Sequence, residues 1–146
     1  MNAVEMWKAF CDSENIDVTV AYDAWPFGDS PDILAQLVVH GEKTATASAY
    51  PLYEADKEPL PEVGSYSVVL DSKEEAVCVI QCTKVYVVPF NEVSENQAYK
   101  EGEGDKSLQY WRKVHSDLFK VWMDEAGLKF DDTMPVVCEE FKVVYK

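Results

Sequence analysis

Basic side chains are scarce in this sequence. Thirteen lysines and arginines stand against 27 aspartates and glutamates, a net charge of −14. Such a field repels polyanions at long range and leaves few cations for a tight, sequence-independent grip on a phosphate chain. It leaves room for a local basic pocket that takes a nucleoside or a short RNA end. No run is long and apolar enough to span a bilayer, so no membrane partner is expected. The opening residues, Met1-Asn2-Ala3-Val4-Glu5, lack the basic and apolar regions of a signal peptide, and a cytoplasmic location is expected. Cysteine is limited to Cys11, Cys78, Cys82 and Cys138, with no Cys-x-x-Cys and no zinc-site spacing. Cys78 and Cys82 share a face of one β-rich run but lie too far apart to bond. Reduced thiols that pack as small hydrophobes are the expectation. No repeat and no linker divides the 146 residues, so one domain spanning 1–146 is expected.

Asn2 to Cys11 reads as a helix, capped by Asn2 with Glu5 three residues on. Val4, Trp7, Phe10 and Cys11 recur at helical spacing as its buried stripe, and Asp12 to Asp17 breaks the pattern. Trp25 to Pro31 reads as a turn-rich connector. Ser30 and Pro31 then open a second helix with Ile33, Leu34, Leu37 and Val38 on its apolar face, and Gly41 ends it. Thr44 to Tyr50 leaves as a strand. Tyr53 to Val63, with its acids and prolines, reads as an exposed loop. Ser65 to Leu70 and Ala76 to Phe90 are strands, the second dense in Val, Ile and Tyr. A short helix is expected over Asn91 to Gln97 and a glycine-rich acidic loop over Tyr99 to Asp105. Asp105 caps a long helix, Lys106 to about Ala126, closed by Gly127. Pro135 to Tyr145 is a last strand, with Val137, Phe141, Val143 and Tyr145 on one side. This order predicts an α+β fold: a small, partly open β-barrel flanked by helices.

Three constellations carry chemistry. Lys43 and Thr46 follow a helix end on the way into a strand. A turn there would bring them together, and a lysine withdrawn from water could take the proton of a threonine hydroxyl. The bland alternative is a solvated lysine beside a strand threonine. In Glu101-Gly102-Glu103-Gly104-Asp105, glycines let the backbone approach a ligand, and a carboxylate could serve as acid or base. Magnesium, which takes oxygen ligands, is another reading of that loop, and an acidic surface loop is a third. Tyr110, Trp111, Arg112 and His115 could stack on a base, or form a core stripe with His115 a satisfied, partly buried histidine. Phe27 and Trp25 admit the same two readings. His40 suits the last turn of its helix.

Gly41-Glu42-Lys43-Thr44-Ala45-Thr46-Ala47-Ser48, then Val63-Gly64-Ser65-Tyr66, then Ala98 to Asp105 before Leu108-Gln109-Tyr110-Trp111 together resemble the ASCH domain family. The resemblance runs from about Phe27 to Tyr145. It implies a barrel like that of the PUA domain and a cleft that binds RNA or nucleotides. Some small members of the family remove the acetyl group of N4-acetylcytidine; this chain is longer, with an N-terminal helical extension over about residues 1–24. Carried over, the resemblance implies Lys43, Thr46 and Glu101 as the catalytic set. Lys43 would take the proton of Thr46, Thr46 would attack the acyl carbonyl, and Glu101, with Glu103 as its rival, would protonate the departing amine. Phe27, Thr44, Tyr99, Glu103, Trp111 and Arg112 are the expected substrate contacts. No cofactor and no metal is expected. The expected partner is a nucleoside or a short single-stranded RNA. The alternatives are a binding module without catalysis and, less favoured by the charge, a ribonuclease.

Overall fold

The structure, a computed structural model, describes residues 1–146. Five strands build one sheet in the order β1-β3-β4-β5-β2. They are β1 (Tyr22–Pro26), β2 (Ala45–Ala49), β3 (Tyr66–Leu70), β4 (Ala76–Pro89) and β5 (Pro135–Tyr145). Only β1 and β3 run parallel; the other pairs are antiparallel. Register shifts at Val69/Leu70, Val79/Ile80 and Cys82/Lys84 mark irregularities that bend strands and increase their twist. They curl the sheet into a half-barrel whose two edges are β1 and β2. The expected architecture, a partly open barrel flanked by helices, is what the chain forms.

Five helices surround the sheet: α1 (Ala3–Glu14), α2 (Pro31–Val39), α3 (Tyr50–Asp56), α4 (Glu95–Glu101) and α5 (Leu108–Glu125). Successive strand residues point to opposite faces, so Val68 and Val69 join different cores. Val68, Leu70 and Val79 pack on α1 through Met6, Trp7, Phe10 and Cys11. Val69, Cys78, Ile80 and Phe141 pack on α2 and Phe27. Farther along β5, Val136 and Cys138 meet α5 through Trp111, Phe119 and Met123. All four cysteines are buried and free.

Asn2 and Glu5 form the expected capping box, but α1 runs past Cys11 to Glu14 and ends on a left-handed Asn15. Val4 is exposed and Met6 takes its place in the buried stripe. On α2, Ile33 is exposed while Ala35 and Val38 are buried. Two elements differ outright from expectation. Tyr22 to Pro26, whose last two residues fall in the expected turn-rich connector Trp25 to Pro31, is the edge strand β1, held by its parallel pairing to β3. The first part of the expected loop, through Asp56, belongs to helix α3, entered through Pro51 in its first turn. The long helix starts at Leu108, and its cap is Ser107, whose hydroxyl accepts from the Tyr110 amide, not Asp105.

The expected short helix lies later in the chain than Asn91 to Gln97. A 3₁₀ turn occupies Phe90–Glu92, and α4 follows, capped by Ser94. Tyr99 to Glu101 therefore form its last turn and not a loop. Gly102 caps that turn at φ +73°, and a Cβ there would run into the carbonyl of Glu42. Gly102→Ala should thus lower stability by about 2 kcal/mol or more. A urea midpoint unchanged by the substitution would show that this turn has room to shift.

Candidate active site

Lys43 sits between α2 and β2 and is 2% exposed. Its Nζ reaches Ala45 O at 2.9 Å, Glu103 Oε2 at 3.2 Å and Glu101 O at 3.5 Å. Three acceptors match the three protons of an ammonium. Glu101 Oε1 lies 3.8 Å away, and the Phe27 ring lies beneath the charge at 5.2 Å.

Glu101 occupies the last turn of α4, the end of the helix that faces α5 and β2. It is sealed from solvent. Trp111 Nε1 donates to its Oε2 at 2.5 Å and Gln97 Nε2 at 3.1 Å, while His115 Nε2 stands 3.4 Å from its Oε1. Burial pushes the Glu101 carboxyl upward. The His115 contact, the Lys43 charge and the Trp111 donor outweigh it and hold the group below the usual carboxylate range. His115 is itself stacked on Trp111 at 4.2 Å, with Nδ1 2.9 Å from the Trp111 carbonyl oxygen. Gln97 extends the network: Tyr86 donates to its Oε1, and its Nε2 also donates to the Thr46 carbonyl. Glu101, Glu103 and His115 present ligand atoms within 4.8 Å of one another, a spacing a cation could use. The Lys43 ammonium already supplies positive charge there.

A cleft of about 1030 Å³ opens between the edge strands β1 and β2. Thr46 to Ala49 of β2 line it, and Thr46 and Ser48, two apart on the strand, share one face of β2; Ala45 is fully buried and outside the lining. Trp25, Phe27 and Trp122 supply aromatic surface, and α3 contributes Tyr53, whose hydroxyl donates to Ser48 Oγ at 2.9 Å. The charged lining residues are Asp23, Asp56, Glu58, Glu62 and Glu139; none is basic.

The structure thus divides the expected residues. Lys43, Glu101, Glu103, Trp111 and Phe27 come together. Thr46 shares the network only through its backbone carbonyl; its hydroxyl makes no hydrogen bond within the chain and lines the cleft instead. Thr44 ties α4 to the sheet, its amide donating to Lys100 O at 2.7 Å and its carbonyl accepting from Phe141 N. Arg112 lies apart, its guanidinium donating to Asn91 O and Val93 O. Tyr99 is 62% exposed, with Lys106 over its ring. Thr44, Tyr99 and Arg112 are absent from the cleft lining.

Glu139 is the site residue that the sequence reading passed over. It pairs with Thr46 across β2 and β5, makes no hydrogen bond or ion pair, and lines the cleft. Burial pushes its carboxyl up to about 7. The available signal was its position: Val137, Glu139 and Phe141 alternate on one strand face, and a carboxylate on an apolar face needs a reason.

The family model for the ASCH domain matches residues 23–145. An ASCH domain structure from Lactobacillus crispatus JV V101 is 32% identical, covers 97% of this chain and 96% of its own, and superposes with a TM-score of 0.85. A protein structure from Enterococcus faecalis V583 is 38% identical over 97% of this chain and 86% of its own, with a TM-score of 0.88. A mutant ASCH protein from Zymomonas mobilis shares the fold at 13% identity and a TM-score of 0.52, covering 84% and 70% of the two chains. No curated protein matches the sequence. No helix is long and apolar enough to cross a membrane. With a half-barrel of this topology and a family match over most of its length, the chain belongs to the ASCH domain family.

Proposed function

We propose that the cleft binds a nucleoside and that Thr46 attacks an acyl group on its exocyclic nitrogen, releasing the free base amine. The observation that carries this reading is the Thr46 hydroxyl, unpaired, on the wall of a cleft with aromatic surface and no basic side chain. Aromatic faces stack on bases of any sequence. Five carboxylates without a cation disfavour a phosphate chain and favour an uncharged ligand. A nucleoside therefore suits the site better than a single-stranded RNA. A ribonuclease, which must hold a scissile phosphate, suits it least.

The buried network has a supporting part in this reading. Lys43 holds the carbonyl of Ala45 and Gln97 holds that of Thr46, so two successive carbonyls of β2 are fixed from behind. Glu101 in turn fixes Gln97, Trp111 and His115. The nucleophile is then presented by a strand that cannot shift without opening the ion cluster.

The deciding assay is release of cytidine from N4-acetylcytidine by the purified protein, beside Thr46→Ala. The expected result is turnover by the unaltered protein and its loss in the variant. Equal turnover in both would remove Thr46 as nucleophile. Saturable cytidine binding with no turnover would leave a binding module in its place.

A further inference from the structure

A threonine nucleophile needs a group to take its proton, and the cleft offers few. The Ser48 and Tyr53 hydroxyls are engaged with each other at 2.9 Å. Lys43 has its three donors committed, and Glu101 is sealed among the helices behind β2. No histidine, lysine or arginine lines the cleft.

Glu139 is differently placed. Thr46 and Glu139 are direct partners in the antiparallel β2–β5 pair, and both line the cleft. Directly opposed residues hold their Cβ atoms about 5 Å apart, within reach of a hydroxyl and a carboxyl on the same face. Neither side chain is committed elsewhere. Tyr53 from α3, Cys82 from β4 and the neighbouring Cys138 face Glu139; burial is the main cause that makes each harder to ionise, and the Glu139 charge adds to it. No cation faces it.

We propose that Glu139 is the catalytic proton-transfer residue for Thr46, a role that rests on the amide-hydrolysing reading above. The Glu139 carboxylate takes the hydroxyl proton as Thr46 Oγ1 forms a bond to the acyl carbon. Collapse of the tetrahedral adduct breaks the carbon–nitrogen bond, and the departing amine nitrogen receives that proton from Glu139. Water then attacks the acyl-threonine ester, giving its proton to Glu139. The carboxylic acid leaves, and the proton returns to Thr46 Oγ1. Acids near neutrality suit both directions of transfer, and burial brings this carboxyl to about 7.

The test separates proton transfer at Thr46 from the identity of the substrate. p-Nitrophenyl acetate, whose leaving group needs no proton, is mixed briefly with the protein between pH 5 and 9. Acetyl on Thr46 is then read by mass spectrometry. The acetylation rate should rise through pH 7 and level off above it. Glu139→Gln should be at least tenfold slower and flat across that window. Glu139→Asp, which keeps the carboxyl, should retain the step at a lower rate, so a folding defect in one variant does not decide the matter. Glu139→Gln acetylated as fast as the unaltered protein with the same profile, or no acetyl on Thr46 in any form, would overturn the proposal. Turnover of N4-acetylcytidine at the unaltered rate by Glu139→Gln sinks the Glu139 role and leaves the substrate. Glu139-dependent acetylation without N4-acetylcytidine turnover sinks the substrate and leaves the Thr46–Glu139 pair.

Discussion

Glu101→Ala is expected to lower the unfolding free energy at pH 7 by about 3–5 kcal/mol, the range for breaking a buried ion pair from one side. The reason is the number of donors that Glu101 serves. Removing it orphans Trp111 Nε1 and one contact of Gln97, and takes a carboxylate away from Lys43 and His115. Water cannot replace it, since Lys43, Trp111 and Gln97 are all nearly solvent-free. Glu103 remains as a partner for Lys43, which places the loss below that of a fully unpaired charge. The pH dependence has a definite sign. The folded-state pKa of Glu101 lies below its unfolded value near 4.5, so its stabilisation is present above that value and fades as pH falls through the folded pKa. Chemical denaturation should therefore show a gap between the two proteins at pH 7 that narrows in acid. Lys43→Met combined with Glu101→Gln should cost less than the sum of the two single changes, because the double change removes charge from both sides. A Glu101→Ala loss under 1 kcal/mol, with additive doubles, would mean that the cluster has relaxed around an absent group.

Much of this cluster was present in the sequence as residue types but not as a place. Lys43, Glu101, Glu103 and Trp111 could be singled out because charged and aromatic residues beside glycines invite the question. What a linear reading misassigned was the element carrying Glu101. The helix propensity of Glu-Asn-Gln-Ala-Tyr-Lys-Glu continues to the glycine, so the carboxylate belongs to a helix end and is buried by α5. Strand β1 was hidden for a related reason. Tyr22 to Pro26 is short and ends in proline beside Phe-Gly, which are turn signals, and its parallel partner β3 lies far away in sequence. Helix α3 carries a proline in its first turn and ends in acids, so local chemistry favours a loop over it. Tertiary packing overrode local turn signals in β1 and α3, whereas α4 follows its local helix preference up to the glycine. The barrel itself was legible, because β4 and β5 are long and dense in Val and other strand-forming residues.

Glu139 shows the other limit. The apolar pattern of β5 singles out Val137, Phe141, Val143 and Tyr145 on one side, and Glu139 lies between the first two on that same alternation. A carboxylate on such a face is costly to ionise, which makes a further prediction about stability. An unfolded Glu139 loses its proton near 4.5, whereas the folded one keeps it to about 7. Between those values the folded state binds more protons than the unfolded state, so stability falls as pH rises, and above 7 the full penalty is in place. The penalty is on the order of 2–3 kcal/mol after discounting for the carboxyl's partial exposure to the cleft. Glu139→Gln removes it while keeping the shape. The variant should match the unaltered protein at pH 4.5 and exceed its unfolding free energy by that amount at pH 8. The same substitution is expected to slow acyl transfer at Thr46. A residue that weakens the fold at working pH and is needed for chemistry is what a catalytic position predicts, since sites tolerate strain that function requires. A Glu139→Gln protein no more stable at pH 8 than the unaltered chain would show that the carboxylate finds water or a counter-charge in the open cleft. Its proton would then leave at ordinary carboxylate pH, and the case for Glu139 as a base poised near neutrality would lose its energetic ground.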